Sequence, residues 1–147
     1  MKLRAIIVPL LFLFIACKQN ITATDITKLN GYWEIEKVVF PEGDDKEYKI
    51  NETFDYFKID KNNTGFRKKV MPQLDGTFLA NDDFERVKVV FNADKVYIEY
   101  TTQYAKWKEE LKIISDDKMV LVNSKNVAYH YKKTAPINLL DDGEKTK

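Results

Sequence analysis

From Tyr32 to Lys132 the chain alternates apolar and polar residues with a period of two, interrupted by turn-forming clusters. Tyr32 to Phe40 sets Trp33, Ile35 and Val39 on one face and Glu34 and Glu36 on the other, and Pro41-Glu42-Gly43-Asp44-Asp45 ends it with turn chemistry. Thr53 to Asp60 is the next strand. Lys61-Asn62-Asn63-Thr64-Gly65 turns into Phe66 to Val70, closed by Met71-Pro72 because proline lacks a ladder donor. Asp75-Gly76 precedes a short strand at Thr77 to Ala80. Phe84 to Phe91 then places Val87, Val89 and Phe91 opposite Arg86 and Lys88. Val96, Ile98 and Tyr100 oppose Glu99 and Thr101 after the turn at Asn92-Ala93-Asp94-Lys95. Met119 to Asn123 and Val127 to Lys132 complete the series.

Tyr104 to Ile114 fits two patterns. Its Lys and Glu content, with Trp107 and Leu111 four apart, suits a helix. Alternation sets Trp107, Leu111 and Ile113 against Lys106, Lys108, Glu110 and Lys112, and the flanking strands favour β. About eight strands joined by short turns form an all-β, up-and-down antiparallel meander. Such a meander removes its exposed edges by closing into a barrel, and eight strands leave room for packed side chains or one small ligand.

The opening of the first strand carries a resemblance. Gly31-Tyr32-Trp33, within Leu29 to Trp33, resembles the Gly-x-Trp of the first lipocalin strand. The stretch from Gly31 to Lys133 resembles the lipocalin-like lipoproteins of Bacteroidetes-type bacteria, through Gly65-Phe66-Arg67, Asp82-Asp83-Phe84-Glu85, Tyr100-Thr101-Thr102 with Trp107-Lys108-Glu109, and Tyr129-His130-Tyr131. The resemblance implies a lipocalin-like barrel over 29–133, with Gly31 and Trp33 forming the plug at its closed end.

The first sixteen residues break the alternation. Lys2 and Arg4 precede an apolar run, Ala5 to Ile15, interrupted by Pro9 and too short for the ~20 residues of a spanning helix. This is a signal-peptide layout. Phe14-Ile15-Ala16-Cys17 resembles the bacterial lipobox, which implies cleavage after residue 16 and acylation of Cys17, the sole cysteine. Residues 17–28 then read as the lipidated cysteine and a polar tether. Residues 134–147 read as a flexible tail, in which Ile137, Leu139 and Leu140 offer a docking option. The expected location is the bacterial cell envelope, membrane-bound through the N-terminal lipid. Lys18-Gln19-Asn20 lacks the acidic pair that resembles a surface-export signal, which favours a periplasm-facing placement at the outer membrane.

Loss of Lys2 and Arg4 leaves 22 basic residues against 23 acidic ones, both signs interspersed, so nucleic acid is not an expected partner. With Cys17 acylated no thiol remains for a disulfide, and the fold rests on packing. No enzyme, cofactor or metal site is expected. His130 is the single histidine, on the face of Ala128 and Lys132, and Ser124 sits in a turn without a nucleophile elbow. Asp60 to Gly65 partly matches a calcium loop, but Met71 holds the position of the bidentate glutamate, which favours a plain turn. Aromatic residues are 13% of the chain, so Phe57, Phe91, Tyr100 and Trp107, with Trp33, either fill the barrel or line a cavity for a small apolar ligand. An envelope protein docking on the outer surface is the alternative partner.

Overall fold

The computed structural model describes residues 19–135. The leader, Cys17 and the tail residues Ile137, Leu139 and Leu140 lie outside the described residues. A short 3-10 helix (Asp25–Leu29) precedes ten strands: β1 (Gly31–Val39), β2 (Lys46–Glu47), β3 (Phe54–Ile59), β4 (Thr64–Pro72), β5 (Phe78–Ala80), β6 (Glu85–Asn92), β7 (Lys95–Thr101), β8 (Lys106–Ile114), β9 (Lys118–Val122) and β10 (Ala128–Thr134). Eight of them pair antiparallel in the order β1-β3-β4-β6-β7-β8-β9-β10, and β10 returns to β1 from Tyr32↔Thr134 to Val39↔Ala128. The sheet is therefore a closed barrel, as the alternation predicts. β2 and β5 are short additions beside β1 and β4. The helix-or-strand segment is strand from Lys106 onward.

Two bulges correct the predicted faces. Ile35 pairs with Tyr131 and Lys37 with His130, which leaves Glu36 as an extra residue in β1. Leu111 pairs with Leu121 and Ile113 with Val120, which makes Lys112 the extra residue of β8. One inserted residue reverses the side-chain alternation beyond it. Val38 is consequently buried in place of Val39, and Ile114 is buried while Ile113 is exposed.

One end of the barrel is sealed by the segment before β1. Composition makes 18–28 a tether, yet from Gln19 onward this segment is folded against the barrel. Ile21, Ile26 and Leu29 are buried with the core. Gln19 behaves as a surrogate strand residue: its Nε2 donates to Ile114 O at 2.7 Å and its Oε1 accepts from Ile114 N at 2.9 Å. Asn30 makes the same pair of hydrogen bonds with the backbone of Ile59, its Nδ2 donating to Ile59 O and its Oδ1 accepting from Ile59 N.

The plug residues lie at this closed end. Trp33 is fully buried and its Nε1 donates to Leu29 O at 2.8 Å, tying the 3-10 helix to the barrel floor. Lys133 lays its Nζ 5.1 Å from the Trp33 ring centroid and donates to Lys28 O at 2.9 Å. Gly31 makes room for that lysine. Its φ of +122° disfavours any side chain, and a Cβ there would stand 3.0 Å from Lys133 Cε. Above the plug, Ile59, Val89, Ile98, Ile114, Met119 and Leu121 fill this half of the barrel with apolar side chains.

Candidate functional site

The other half of the barrel is polar inside. Alternation carries Asp55 inward on the parity of Phe57 and Ile59, and register sets Arg67 opposite both Phe57 and Glu85. Tyr100 lies opposite Val87, Glu109 opposite Ile98, and Tyr131 opposite Ile35. The buried neighbours Phe57, Val87 and Ile98 fix these six side chains as interior ones.

Arg67 is the centre of this group. Its Nε donates to Glu85 Oε2 at 3.0 Å, and its guanidinium lies 4.3 Å from the Tyr100 ring centroid and 5.9 Å from that of Phe57. Burial works against the charge, but Tyr100, Glu85 and Asp55 outweigh it and raise the Arg67 pKa. Among the described residues the guanidinium makes no hydrogen bond beyond that to Glu85. Asp55, 3% exposed, has Lys69 Nζ at 2.6 Å from its Oδ1, close enough to neutralise it although off the direction of a hydrogen bond.

Tyr100 and Glu109 are the unresolved members. Their OH and Oε2 are enclosed, and the two groups face each other, although off the direction of a good hydrogen bond. Burial pushes the Glu109 carboxyl above the ordinary glutamate range, against the pull of Tyr100 and Arg67, and Asp55 adds to the rise. Burial likewise raises the hydroxyls of Tyr100 and Tyr131, so both stay protonated and can donate.

Above this group the barrel opens. A cavity of about 640 Å³ lies at the rim, walled by Lys69 of β4, residues 81–86 and residues 101–104. Glu85 belongs both to the cavity wall and to the buried polar group, and Lys69, on the same wall, reaches Asp55 of that group. Phe84 and Tyr104 supply its aromatic surface.

The four residues expected to line a ligand cavity are divided differently. Phe57 and Tyr100 are buried in the packed interior. Trp107 stacks on Tyr100, centroids 5.1 Å apart and planes at 14°, and stands 36% exposed. Phe91 is a correction. It shares the inward parity, but β6 runs past the sealed end there, so Phe91 is 43% exposed beside Gln19, Asn20 and Ile21. None of the four forms the wall of the rim cavity.

Other candidates fall where alternation puts them. His130 lies on the outer face, opposite Val120 and Lys37, and Ser124 is exposed in the β9–β10 turn. The carboxylate of Asp60 accepts from Asn62 N at 2.8 Å, Thr64 N at 3.0 Å and Thr64 Oγ1 at 3.0 Å, with Asn63 at φ 60°. Its oxygens are engaged by its own turn. An aromatic strip also runs over the outer face: Tyr32 stacks on Phe78 at 4.0 Å and meets Tyr56 at 4.7 Å, and the chain continues through Phe66 to Phe84.

Missed by sequence reasoning is the buried polar group. Its signal was parity: Asp55, Arg67, Glu85 and Glu109 all occupy inward positions of their strands.

Among solved structures, the chain is similar to a lipocalin-like protein from Bacteroides uniformis ATCC 8492, with 11% identity and a TM-score of 0.47 over 73% of this chain and 99% of that one. It is also similar to an uncharacterized protein from Bacteroides eggerthii DSM 20697, with 13% identity and a TM-score of 0.46 over 72% of this chain and 99% of that one. No curated protein matches. The family model of the lipocalin-like domain matches residues 29–121, from the end of the 3-10 helix into β9, and the chain belongs to that family.

Proposed function

We propose that this protein is a non-enzymatic binding module of the bacterial envelope, held to the membrane by acyl chains on Cys17 and taking a small ligand with an apolar body at the open end of its barrel. The observation that carries the reading is the division of the interior. One half is solid, while the other meets a cavity of about 640 Å³ with aromatic and polar walls, in the size range of small-molecule sites. The lipobox-like Cys17 supports the anchor, since two or more acyl chains hold a protein stably at a bilayer.

Binding is tested with a neutral apolar fluorophore, N-phenyl-1-naphthylamine, added to the full chain in lipid nanodiscs, with protein-free discs as blank. Energy transfer from Trp107 to the dye is expected, and no transfer above the blank would refute the ligand reading. The anchor is tested by metabolic labelling with a clickable fatty acid. Wild type should be marked and Cys17→Ser should not. Equal membrane retention of both forms would refute acylation.

A second reading rests on the outer surface. Leu74 and Leu79 are 73% and 60% exposed near the aromatic strip, which suits an envelope protein docking there. A Leu79→Ser variant that keeps dye binding but loses a crosslinked partner would favour it.

A further inference from the structure

The segment that seals the barrel also limits how far the folded domain can stand from Cys17. Gln19 is the first described residue, and its side-chain amide is held at both polar atoms by the backbone of Ile114, at the closed end of β8. Ile21, Ile26 and Leu29 bury the chain that follows in the core. Lys18 alone separates Cys17 from Gln19. Two residue steps of fully extended chain span only about 7 Å. The stretch that composition reads as a tether is thus folded from Gln19 onward, and little slack is left for a lipid on Cys17.

Strand direction decides what stands near that point. The β3–β4, β6–β7 and β8–β9 turns lie at the closed end with the 3-10 helix, whereas the β7–β8 and β9–β10 turns lie at the open end with the rim cavity. A nine-residue strand such as β8 climbs roughly 20 Å between those ends when tilted by the ~40° usual for a barrel. Phe91, 43% exposed beside Gln19, belongs to the closed-end level, and so does Ile113, 44% exposed and one residue before Ile114. Exposed apolar side chains at that level suit the boundary between headgroups and acyl chains.

We propose, building on the acylation of Cys17 put forward above, that the closed end of the barrel is a membrane-docking face seated on the bilayer surface, with the rim cavity facing away from it. The partner is the lipid surface itself, and the joint is the short span from Cys17 to Gln19. An end-on seat brings the β3–β4 turn down to the surface too, although it lies on the wall opposite β8. A barrel resting on its β8 wall would lift that turn away. Seated end-on, the mouth opens to the aqueous side, and a ligand enters from that compartment and not from the bilayer below.

The test uses the full chain in lipid nanodiscs that carry Ni²⁺ on chelating headgroups. A single spin label is placed on Lys61→Cys in the β3–β4 turn or on Lys125→Cys in the β9–β10 turn, both exposed positions. The paramagnetic effect of a headgroup ion falls steeply with distance, so relaxation at residue 61 should be enhanced several-fold more than at residue 125. Inserting about sixteen Gly and Ser residues between Lys18 and Gln19 adds a reach of roughly 20 Å and should remove most of that difference. Equal enhancement at both sites, or a larger one at residue 125, would overturn the proposal and leave the anchor intact. A difference that survives the insertion would overturn the role of the short span. Wild type, whose sole thiol is acylated, should take no label, and labelling of its Cys17 would mean that the anchor reading itself fails.

Discussion

The two halves of this barrel are built from the same strands and solve opposite problems. Toward the closed end, inward positions carry Ile59, Val89, Ile98, Ile114 and Met119, and a 3-10 helix with Trp33 completes the seal. Toward the open end the same alternation delivers Asp55, Arg67, Glu85, Tyr100 and Glu109. Apolar burial contributes about 25 cal/mol per Å². Buried charges contribute little net stability even when paired. The closed half therefore supplies most of the fold's stability, and the open half spends some of it on a polar interior that stability alone would not select.

The largest expected effect is at the plug. Trp33→Ala should cost about 3–5 kcal/mol, the range for truncating a core aromatic, and lower the urea midpoint accordingly. An unchanged midpoint would mean that the closed half is not the stabilising one.

Lys133→Ala comes next. It removes a cation from the face of Trp33 and a donor from Lys28 O, and should cost about 1–2 kcal/mol. Lys133→Met, which keeps the apolar stem over the indole, should recover part of that loss. Equal losses in both would assign the whole effect to charge and hydrogen bonding.

The two regions also differ in the sign of their response to acid. In the β3–β4 turn, which lies toward the closed end, the Thr64 and Asn62 donors hold Asp60 below the usual aspartate range. Its stabilisation is present above the unfolded pKa of about 3.9 and is lost as pH falls through the still lower folded value. Glu109 has its folded pKa raised by burial. It adds no penalty below the unfolded value of about 4.3 and a growing one as pH rises through the folded value. In urea melts, Asp60→Asn should thus be the less stable partner at neutral pH, with the gap closing in acid. Glu109→Gln should be more stable than wild type at neutral pH, and that gain should also vanish in acid. A neutral-pH loss in Glu109→Gln would mean that the carboxylate is well solvated and the open half less enclosed.

The closed half was largely legible in the sequence, because apolar residues at period two can only face a core and Gly31-Tyr32-Trp33 marks where the seal begins. The open half was not, for two physical reasons. A charged residue on a strand reads as solvent-facing unless its parity is followed strictly, and Asp55 and Glu109 sit on the parity of Phe57 and Leu111. Parity itself is interrupted at Glu36 and Lys112, where nothing local distinguishes a bulge residue from an ordinary polar outward one. The packing of Gln19 to Leu29 was hidden in a different way. Its few apolar residues have no period because they belong to a plug seen from above, and its polar Gln19 is consumed by one strand's backbone.

The contrast between a solid half and an open half is tested most directly by two single-tryptophan proteins, Trp33→Phe and Trp107→Phe, each titrated with acrylamide and then with N-phenyl-1-naphthylamine. Trp33 lies fully buried in the closed half and Trp107 stands 36% exposed over Tyr100 at the open one. Acrylamide should quench the protein retaining Trp107 and barely touch the one retaining Trp33, and the dye should alter emission only from Trp107. Equal quenching of both tryptophans, or a dye response carried by Trp33, would contradict it.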